Sequence, residues 1–363
     1  MSSKSLKKLP MRIVRTIVFA ANALCIIAML VCDWSQCFAP QYHPRISFLG
    51  LLFPVFAAAV ALFLPVWLVL RPRLLALASL GALLVSGGAV RTYCPLNLST
   101  EPPAEAIHLL TYNLYNKASS PEHPLVRYVM DSGADIVCCQ EAMSAGRAEV
   151  DDTLARRYPY RHQECVKQTV LACFSRYPII DVKTVDFVSH SNAAIAYWLD
   201  IEGDTVLLVN CHLESYGLNE DERTEYKSLV RNIDDVAYGA EADSSRLVAK
   251  SLIRKICEKN AIRGAQADSI AEFVRRAAVP RTIVCGDFND ASISYTHYRL
   301  TRELNDAYTR AGNGPGISYN RSGMYFRIDH VLASPLITPH SAWVDNSIDA
   351  SDHYPLHCCF SLP

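Results

Sequence analysis

The chain has 363 residues, 50% of them hydrophobic, with 35 Lys/Arg against 36 Asp/Glu. Such an apolar fraction argues against an ordinary soluble enzyme. Residues 1–91 hold nine of the basic residues and one acidic residue, Asp33, which leaves 26 basic against 35 acidic beyond them, a formal charge of −9 that argues against a domain gripping duplex DNA through its phosphates.

Three apolar runs, residues 13–32, 46–70 and 74–90, dominate residues 1–91. Each approaches the roughly 20 residues needed to cross a bilayer, the third lying near the lower limit of about 17. A cleaved signal peptide is the weaker reading of the first run, because two more follow and no small-x-small cleavage pattern is evident. We therefore expect three transmembrane helices in an integral protein of the cytoplasmic membrane. Lys4, Lys7, Lys8, Arg12 and Arg15 precede the first run and Arg71 and Arg73 separate the second from the third, whereas the first loop offers only Arg45. The positive-inside rule then predicts a cytoplasmic N-terminus and, after three spans, an extracytoplasmic location from residue 92 onward. Residues 92–105, polar and proline-bearing towards their end, predict a linker, and residues 106–363 a single domain.

That domain is expected to open with a strand, Ile107 to Tyr112, ending at Asn113. A helix from Glu122 to Asp131 leads to a second strand, Asp135 to Cys139, ending at Gln140-Glu141. From Tyr160 the chain reads as β-rich, with strands at Val170–Phe174, Val182–Phe187, Ala193–Asp200 and Thr205–Asn210, the last running into Cys211-His212-Leu213-Glu214. Apolar residues at helical spacing between 219 and 278 (Leu229, Ile233, Val236; Leu247, Ile253, Ile256; Ile270, Phe273, Val274) predict two or three helices. An apolar run from Thr282 then stops abruptly at Gly286-Asp287-Phe288-Asn289-Asp290. Strand alternation puts Asp287 and Asn289 on one face. A helical segment around 298–304, a Gly/Asn/Pro loop at 312–316, a strand from Tyr325 to Leu332 and a last apolar run, Leu356 to Leu362, complete the order, with Ser351-Asp352-His353 just before that run.

The 13 cysteines do not form a disulfide framework on this reading. Cys138, Cys139, Cys211, Cys285, Cys358 and Cys359 sit in strand-like apolar runs, where a thiol behaves as a small hydrophobe. Cys165 and Cys173 flank a predicted turn and could bridge in an oxidising compartment. No C-x-x-C pair or Cys/His spacing suggests zinc.

Polar groups thus stand at the ends of six apolar runs: Asn113, Glu141, His212, Asp287 with Asn289, Asp329, and Asp352 with His353. One carboxylate at a strand end is usually a cap or turn residue. If the strands belong to packed sheets, however, their ends converge, and four carboxylates, two carboxamides and two imidazoles form one oxygen-rich pocket. Such a pocket suits a hard divalent cation, Mg²⁺ first and Mn²⁺ as an alternative, and the matching chemistry is phosphoester hydrolysis by metal-activated water. A G-x-S-x-G elbow, a phosphate-binding G-x-x-x-x-G-K-[ST] loop and a G-x-G-x-x-G turn are all lacking. Asp329 could instead pair with Arg327; Glu214 and Asp290 are read as loop-holding residues, His330 as a packed histidine on the opposite face, and Arg176 as structural.

In order along the chain, Thr-Tyr-Asn113, Gln140-Glu141, Asn210-Cys-His212-Leu-Glu, Gly286-Asp287-Phe-Asn289, Arg327-Ile-Asp329-His-Val-Leu and Ser351-Asp352-His353 resemble the motifs of the endonuclease/exonuclease/phosphatase superfamily, the DNase I-like fold. The resemblance covers about residues 106–362. It implies a four-layer α/β (α+β) sandwich of two mainly antiparallel sheets flanked by helices. It also implies Glu141 as the main Mg²⁺ ligand with Asn113 and Asp352 at or beside the metal, Asp287 as the residue that activates water, and Asn289 as a donor to the transition state. His353, oriented by Asp329, and His212 would then donate to the scissile phosphate.

Reaction type follows from such a site more securely than substrate. With a short linker to membrane spans, lipid-linked or other extracytoplasmic phosphoesters are the leading expectation and the bilayer the expected partner; no protein partner is implied. An anchored endo- or exonuclease is the alternative within the enzyme class, and a non-catalytic binding or scaffold protein on the same fold a more distant one.

Overall fold

A computed structural model describes residues 11–70, 72–98, 101–142, 148–217, 224, 242–319, 321 and 325–363. Its N-terminal part is helical: α1 (Met11–Ser35), the short α2 (Pro44–Ser47), α3 (Phe53–Val69), α4 (Leu75–Val85) and α5 (Gly87–Tyr93). Two helical stretches, Met11–Ser35 and Pro44–Val69, are long and apolar enough to cross a membrane. The third run differs from the single span expected over 74–90. It forms α4 and α5, bent by 67° around Ser86, where Gly87 and Gly88 follow directly, so it would be a third span only as a broken one. Within this bundle α1 and α4 are tied by a buried pair, Asn22 and Ser79, at 3.0 Å; in an apolar surrounding such polar side chains hold helices together.

Among the described residues, twelve strands form two six-stranded sheets. One has the order β11-β12-β1-β2-β4-β3, with β1 at Ile107–Asn113, β2 at Ile136–Gln140, β3 at Tyr160–Val166, β4 at Thr169–Ser175, β11 at Thr338–Val344 and β12 at Leu356–Ser361. The other has the order β5-β6-β7-β8-β10-β9, with β5 at Ile179–Thr184, β6 at Ala193–Ile201, β7 at Asp204–His212, β8 at Thr282–Asp287, β9 at Asn305–Asp306 and β10 at Asp329–Ala333. Only β1/β2 and β7/β8 pair in parallel. Outer layers are supplied by α6 (Pro124–Asp131) and α7 (Ala148–Ala155) on the first sheet, and by α8 (Ala242–Ala277) and α9 (Tyr295–Thr301) on the second, while the short α10 (Ala307–Ala311) puts Ala307 and Tyr308 into the core between the sheets. This is the expected four-layer sandwich.

Strand periodicity explains the layers. Leu109, Ile136, Cys138, Leu208, Ile283, Cys285 and Val331 fill the core between the sheets, while their neighbours Leu110, Val137 and Cys139 pack under the helices of the first sheet and Val209, Val284 and Leu332 under those of the second. Alternation carried to the strand ends therefore puts Asn113, His212, Asp287 and Asp329 on the inter-sheet face, at the rim of the core.

Several elements differ from expectation. Strands β3 and β11 escape the sequence because they are half-exposed edges without clean alternation. Of the helices expected over 219–278, the set at Leu229, Ile233 and Val236 lies outside the described residues, and the sets from Leu247 to Val274 lie on one helix of 36 residues. All thirteen cysteines are free, and Cys165 and Cys173 are not a pair: the first is exposed and the second lies in the core, opposite His162 rather than its proposed partner.

The apolar N-terminal helices and the α/β domain are in direct contact. Gln41 Nε2 donates to Asp268 Oδ2 at 2.9 Å, Asn260 Nδ2 to Ser47 Oγ at 3.0 Å, and Asn97 Nδ2 to the Gly312 carbonyl at 2.6 Å. Ile293, in the loop after β8, is buried among Met29, Cys32, Phe53, Val60, Ala82 and Ala89 of the bundle.

Candidate active site

Three neighbouring strands align the centre of the site. His212 ends β7, Asp287 ends β8 directly beside it, and Asp329 begins β10 directly beside Asp287. The close approach of β7 and β8 depends on Gly286, at φ +126°, where a Cβ would come 2.1 Å from the Cys211 carbonyl oxygen. From the other sheet, β1 delivers Asn113, and Glu141 follows β2 with φ +46°. Buried amides clamp the sheets just behind: Gln140 Nε2 donates to Asn210 Oδ1 at 2.7 Å, and Asn210 Nδ2 to the carbonyls of Cys139 and Ala172 at 3.1 Å each.

Asp287 is the hub. Its Oδ2 accepts from Asn113 Nδ2 at 3.0 Å and from Asn289 Nδ2 at 3.2 Å, and its Oδ1 accepts from the Asn289 backbone N–H at 2.8 Å. His212 Nε2 and His353 Nε2 lie 3.7 and 3.6 Å from the same Oδ2. Asn289 arrives here differently from expectation. The strand stops at Asp287, and a left-handed residue, φ +51° at Asn289, turns the side chain back into the cleft, where it also donates to the Leu213 carbonyl at 3.0 Å.

The charges follow from burial and neighbours. Burial raises the Asp287 carboxyl to about 6; His353 works against that rise and Asp329 adds to it. For His353 burial acts downward, but Asp329, whose Oδ2 accepts from Nδ1 at 2.8 Å, and Asp287 outweigh it and lift the imidazole to about 10. His212 goes the other way, pulled down by burial although Asp287 opposes. Its Nδ1 faces Thr169 Oγ1 at 2.9 Å. With the hydroxyl donating there, the neutral ring carries its proton on Nε2, towards the Asp287 carboxylate. Glu141 is raised by burial and then by the charge of Asp352, with which it lines the same cleft.

All eight residues singled out from the sequence thus meet in one place. Glu141, His212, Asp287, Asn289, Asp352 and His353 line a cleft of about 140 Å³, and Asn113 and Asp329 stand directly behind through the contacts above. Asp329 pairs with His353 and not with Arg327, which is buried against Asp306 and the Tyr308 ring. Arg176 pairs with Asp135 at 2.7 Å, at the base of a strand, and His330 faces away from the cleft, bonded to the Asp290 carbonyl at 3.1 Å. Sequence reasoning missed the aromatic wall of Tyr115, Tyr216, Tyr319 and Phe326, Thr169 behind His212, and Arg263. No strand-end signal marks these; they reach the site from loops, an adjacent strand and a helix.

The chemistry available is that of a phosphoester hydrolase. A carboxylate that titrates near 6 can take a proton from water, a buried imidazolium and a neutral imidazole can donate to phosphate oxygens, and two further carboxylates offer hard oxygen ligands. Solved structures similar to the chain include an endonuclease/exonuclease/phosphatase from Beutenbergia cavernae DSM 12333, at 15% identity and TM-score 0.50, covering 71% of this chain and 72% of that one. Another is an endonuclease/exonuclease/phosphatase family protein from Bacteroides thetaiotaomicron, at 16% identity and TM-score 0.49, covering 73% and 100%. The human Nocturnin catalytic domain with bound sulfate anion is similar at 15% identity and TM-score 0.49, covering 72% and 97%. No curated protein matches the chain. Residues 15–93 match a domain of unknown function, DUF8431. Residues 110–353, well over half of the sequence, match the Endonuclease/Exonuclease/phosphatase family, and the chain belongs to that family.

Proposed function

We propose that the protein is a membrane-anchored, divalent-metal-dependent phosphoester hydrolase that acts on lipid-linked or other bilayer-presented phosphoesters outside the cytoplasm. One observation carries the substrate reading. Asn289 lines the cleft and Ile293 is buried among the apolar helices. Four residues of chain span at most about 14 Å, whereas the headgroup zone of a bilayer is about 5–7 Å deep on each side. A phosphate at the membrane surface is therefore within reach of the cleft while its lipid stays in place.

Orientation follows from charge and contact. The loop after α1 and the residues after α5 both touch the catalytic domain, while Arg12, Arg15 and Arg73 are exposed towards the ends of helices that lead away from it. Under the positive-inside rule, that arrangement supports a cytoplasmic N-terminus and a domain on the opposite side.

The donor set suits a hard cation: Glu141 and Asp352 are like charges lining one cleft, and a divalent ion would offset both the burial and the Asp352 repulsion that raise Glu141. Held by Glu141 and Asp352 with Asn113 beside them, Mg²⁺ or Mn²⁺ would neutralise phosphate charge. Asp287 accepts the proton of the attacking water. His212 Nε2 and the His353 imidazolium donate to the phosphate oxygens as negative charge builds on them, and Asn289 Nδ2 joins them by exchanging its bond to Asp287 Oδ2 for one to phosphate while keeping its bond to the Leu213 carbonyl. Asp329 keeps His353 charged and its Nε2 aimed inward.

The test uses the full chain in nanodiscs with Mg²⁺ or with EDTA, offered phospholipids, polyprenyl phosphates, supercoiled plasmid and bis(p-nitrophenyl) phosphate. Metal-dependent turnover of a lipid phosphoester, lost in Asp287→Ala and Glu141→Ala, is expected. Cleavage of plasmid in preference to every lipid would overturn the substrate reading, and undiminished turnover in EDTA the metal. A reporter fused after Pro363 that is active only in the cytoplasm would overturn the orientation.

A further inference from the structure

The segment between α1 and α3 does more than connect two helices. Pro40 and Gln41 lie so close to Gly264 of α8 that a Cβ there would come 2.8 Å from each. Gly50 lies against the backbone of Ile293, where a Cβ would meet the carbonyl oxygen at 2.0 Å. Between these contacts, Ser47 Oγ accepts from Asn260 Nδ2 at 3.0 Å.

Asn260 leads to the site. Its Oδ1 accepts from Arg263, and Arg263, 0% exposed, joins the two loops that carry catalytic groups. One guanidinium N–H donates to the Glu214 carbonyl at 2.7 Å, two residues after His212; Nε lies 3.5 Å from Asp290 Oδ2, next to Asn289. The Tyr216 ring, part of the cleft wall, stacks 4.2 Å from the guanidinium. An arginine buried to this degree persists only where several acceptors and a ring face compensate its charge.

Asn289 is the residue most exposed to this arrangement. Asparagine tolerates the left-handed region better than most residues, but the φ of +51° at Asn289 still depends on the contacts that hold it there. Those contacts are the Leu213 carbonyl before the Arg263 link, Asp290 on that link, and Ile293 pinned against Gly50. We propose that residues 40–50 are a positioning element of the active site, acting through Asn260 and Arg263 and through the Gly50–Ile293 contact. They hold the loops that carry His212 and Asn289 in their working conformation. The consequence for activity rests on the hydrolase reading above; the consequence for loop conformation does not.

Two measurements on the full chain in nanodiscs test it. Bis(p-nitrophenyl) phosphate, which is soluble and needs no bilayer, reports kcat, and amide hydrogen exchange reports residues 286–293. Gly50→Ala puts a Cβ 2.0 Å from the Ile293 carbonyl oxygen and forces a shift of about 1 Å there, so it is expected to lower kcat about 100-fold with KM nearly unchanged. Exchange at 288–293 should rise about 10-fold while the melting temperature of the sheets stays within a few degrees. Ser47→Ala should lower kcat about 3-fold and Ser47→Thr, which keeps the hydroxyl, should restore it. Uniform rather than local exchange changes, or wild-type exchange and kcat in both Gly50→Ala and Ser47→Ala, would overturn the proposal. Should Gly50→Ala fail to accumulate, Ser47→Ala and Asn260→Ala carry the same two measurements. Should the wild type hydrolyse nothing, the hydrolase reading falls, and the exchange data still decide whether the loop is held from the membrane side.

Discussion

Asparagine in place of Asp329 separates charge from orientation at His353. Asp329 Oδ2 accepts the Nδ1 proton at 2.8 Å, and both residues are buried. Burial by itself lowers the imidazole, yet Asp329 and Asp287 raise it to about 10. Asparagine has nearly the same volume and still offers an acceptor to Nδ1, so the ring stays aimed while the principal charge supporting it is gone. If the pKa falls from about 10 to the reference value of about 6.5, the protonated fraction at pH 8 drops from nearly all to about 3%, a loss of about 30-fold in any rate that needs the imidazolium. At pH 6 the same shift costs less than about twofold. The alkaline limb of kcat/KM should therefore move from near pH 10 into the neutral range. Because Asp329 also raises the Asp287 carboxyl, the acid limb should move down slightly rather than up. The assay is a pH–rate profile on bis(p-nitrophenyl) phosphate at saturating Mg²⁺. An alkaline limb left in its wild-type position, or equal losses at pH 6 and pH 8, would refute the reasoning.

Thr169→Val removes the hydroxyl 2.9 Å from His212 Nδ1 and leaves a buried ring nitrogen unpaired; about 1–3 kcal/mol of stability should be lost in urea unfolding, with kcat falling about 10-fold. Gly286→Ala meets both φ +126° and a 2.1 Å approach to the Cys211 carbonyl, so it should cost more than about 3 kcal/mol and abolish activity, read by unfolding and turnover of the same preparation. Asp306→Ala removes the cap of α10 and the partner of buried Arg327, for an expected 3–5 kcal/mol, roughly. Burial pushes the Asp306 carboxyl up, but His297 and Arg327 hold it well below the usual range. With the folded value depressed, its stabilisation is fully present above the unfolded value of about 3.9 and shrinks as the pH falls below that. The gap between wild type and Asp306→Ala in urea midpoints should narrow only on that acid side.

The scaffold was legible where strands are buried on both faces. Runs such as Ile136 to Cys139 and Ile283 to Cys285 are apolar throughout and end in a polar group, and those ends became the site. Edge strands β3 and β11, half in solvent, carry no such pattern. The conformations that aim the groups were not legible either. Asn289 looked like the next alternating residue of a strand and is instead in a left-handed turn, as is Glu141. Arg263 reads in sequence as one of several charges in a helical stretch, yet it is among the largest fully buried side chains. Nothing local distinguishes it from Arg254, an exposed residue of the same helix that pairs with Glu258 one turn on, because its burial depends on loops that meet only in the folded domain.

Net charge bears on why docking, and not electrostatics, would hold this domain at a membrane. A peripheral enzyme reaches an anionic surface with Lys/Arg patches worth about 1 kcal/mol each near the bilayer, whereas residues 92–363 carry a formal charge of −9. Such a domain is pushed from an anionic surface, and within a Debye length of roughly 8 Å the push is not screened away. Part of that charge is Glu141, Asp352, Asp287 and Asp329, which the chemistry requires and a bound cation would offset only in part. Covalent attachment alone would leave the rest free to swing the cleft outward. The contacts of Gln41, Ser47 and Gly50 with α8 and Ile293 oppose that movement by burial and hydrogen bonding, which salt does not weaken. On this argument turnover of a lipid phosphoester in anionic nanodiscs should vary little between 50 and 300 mM NaCl, whereas a domain held by charge would lose activity steeply over the same range.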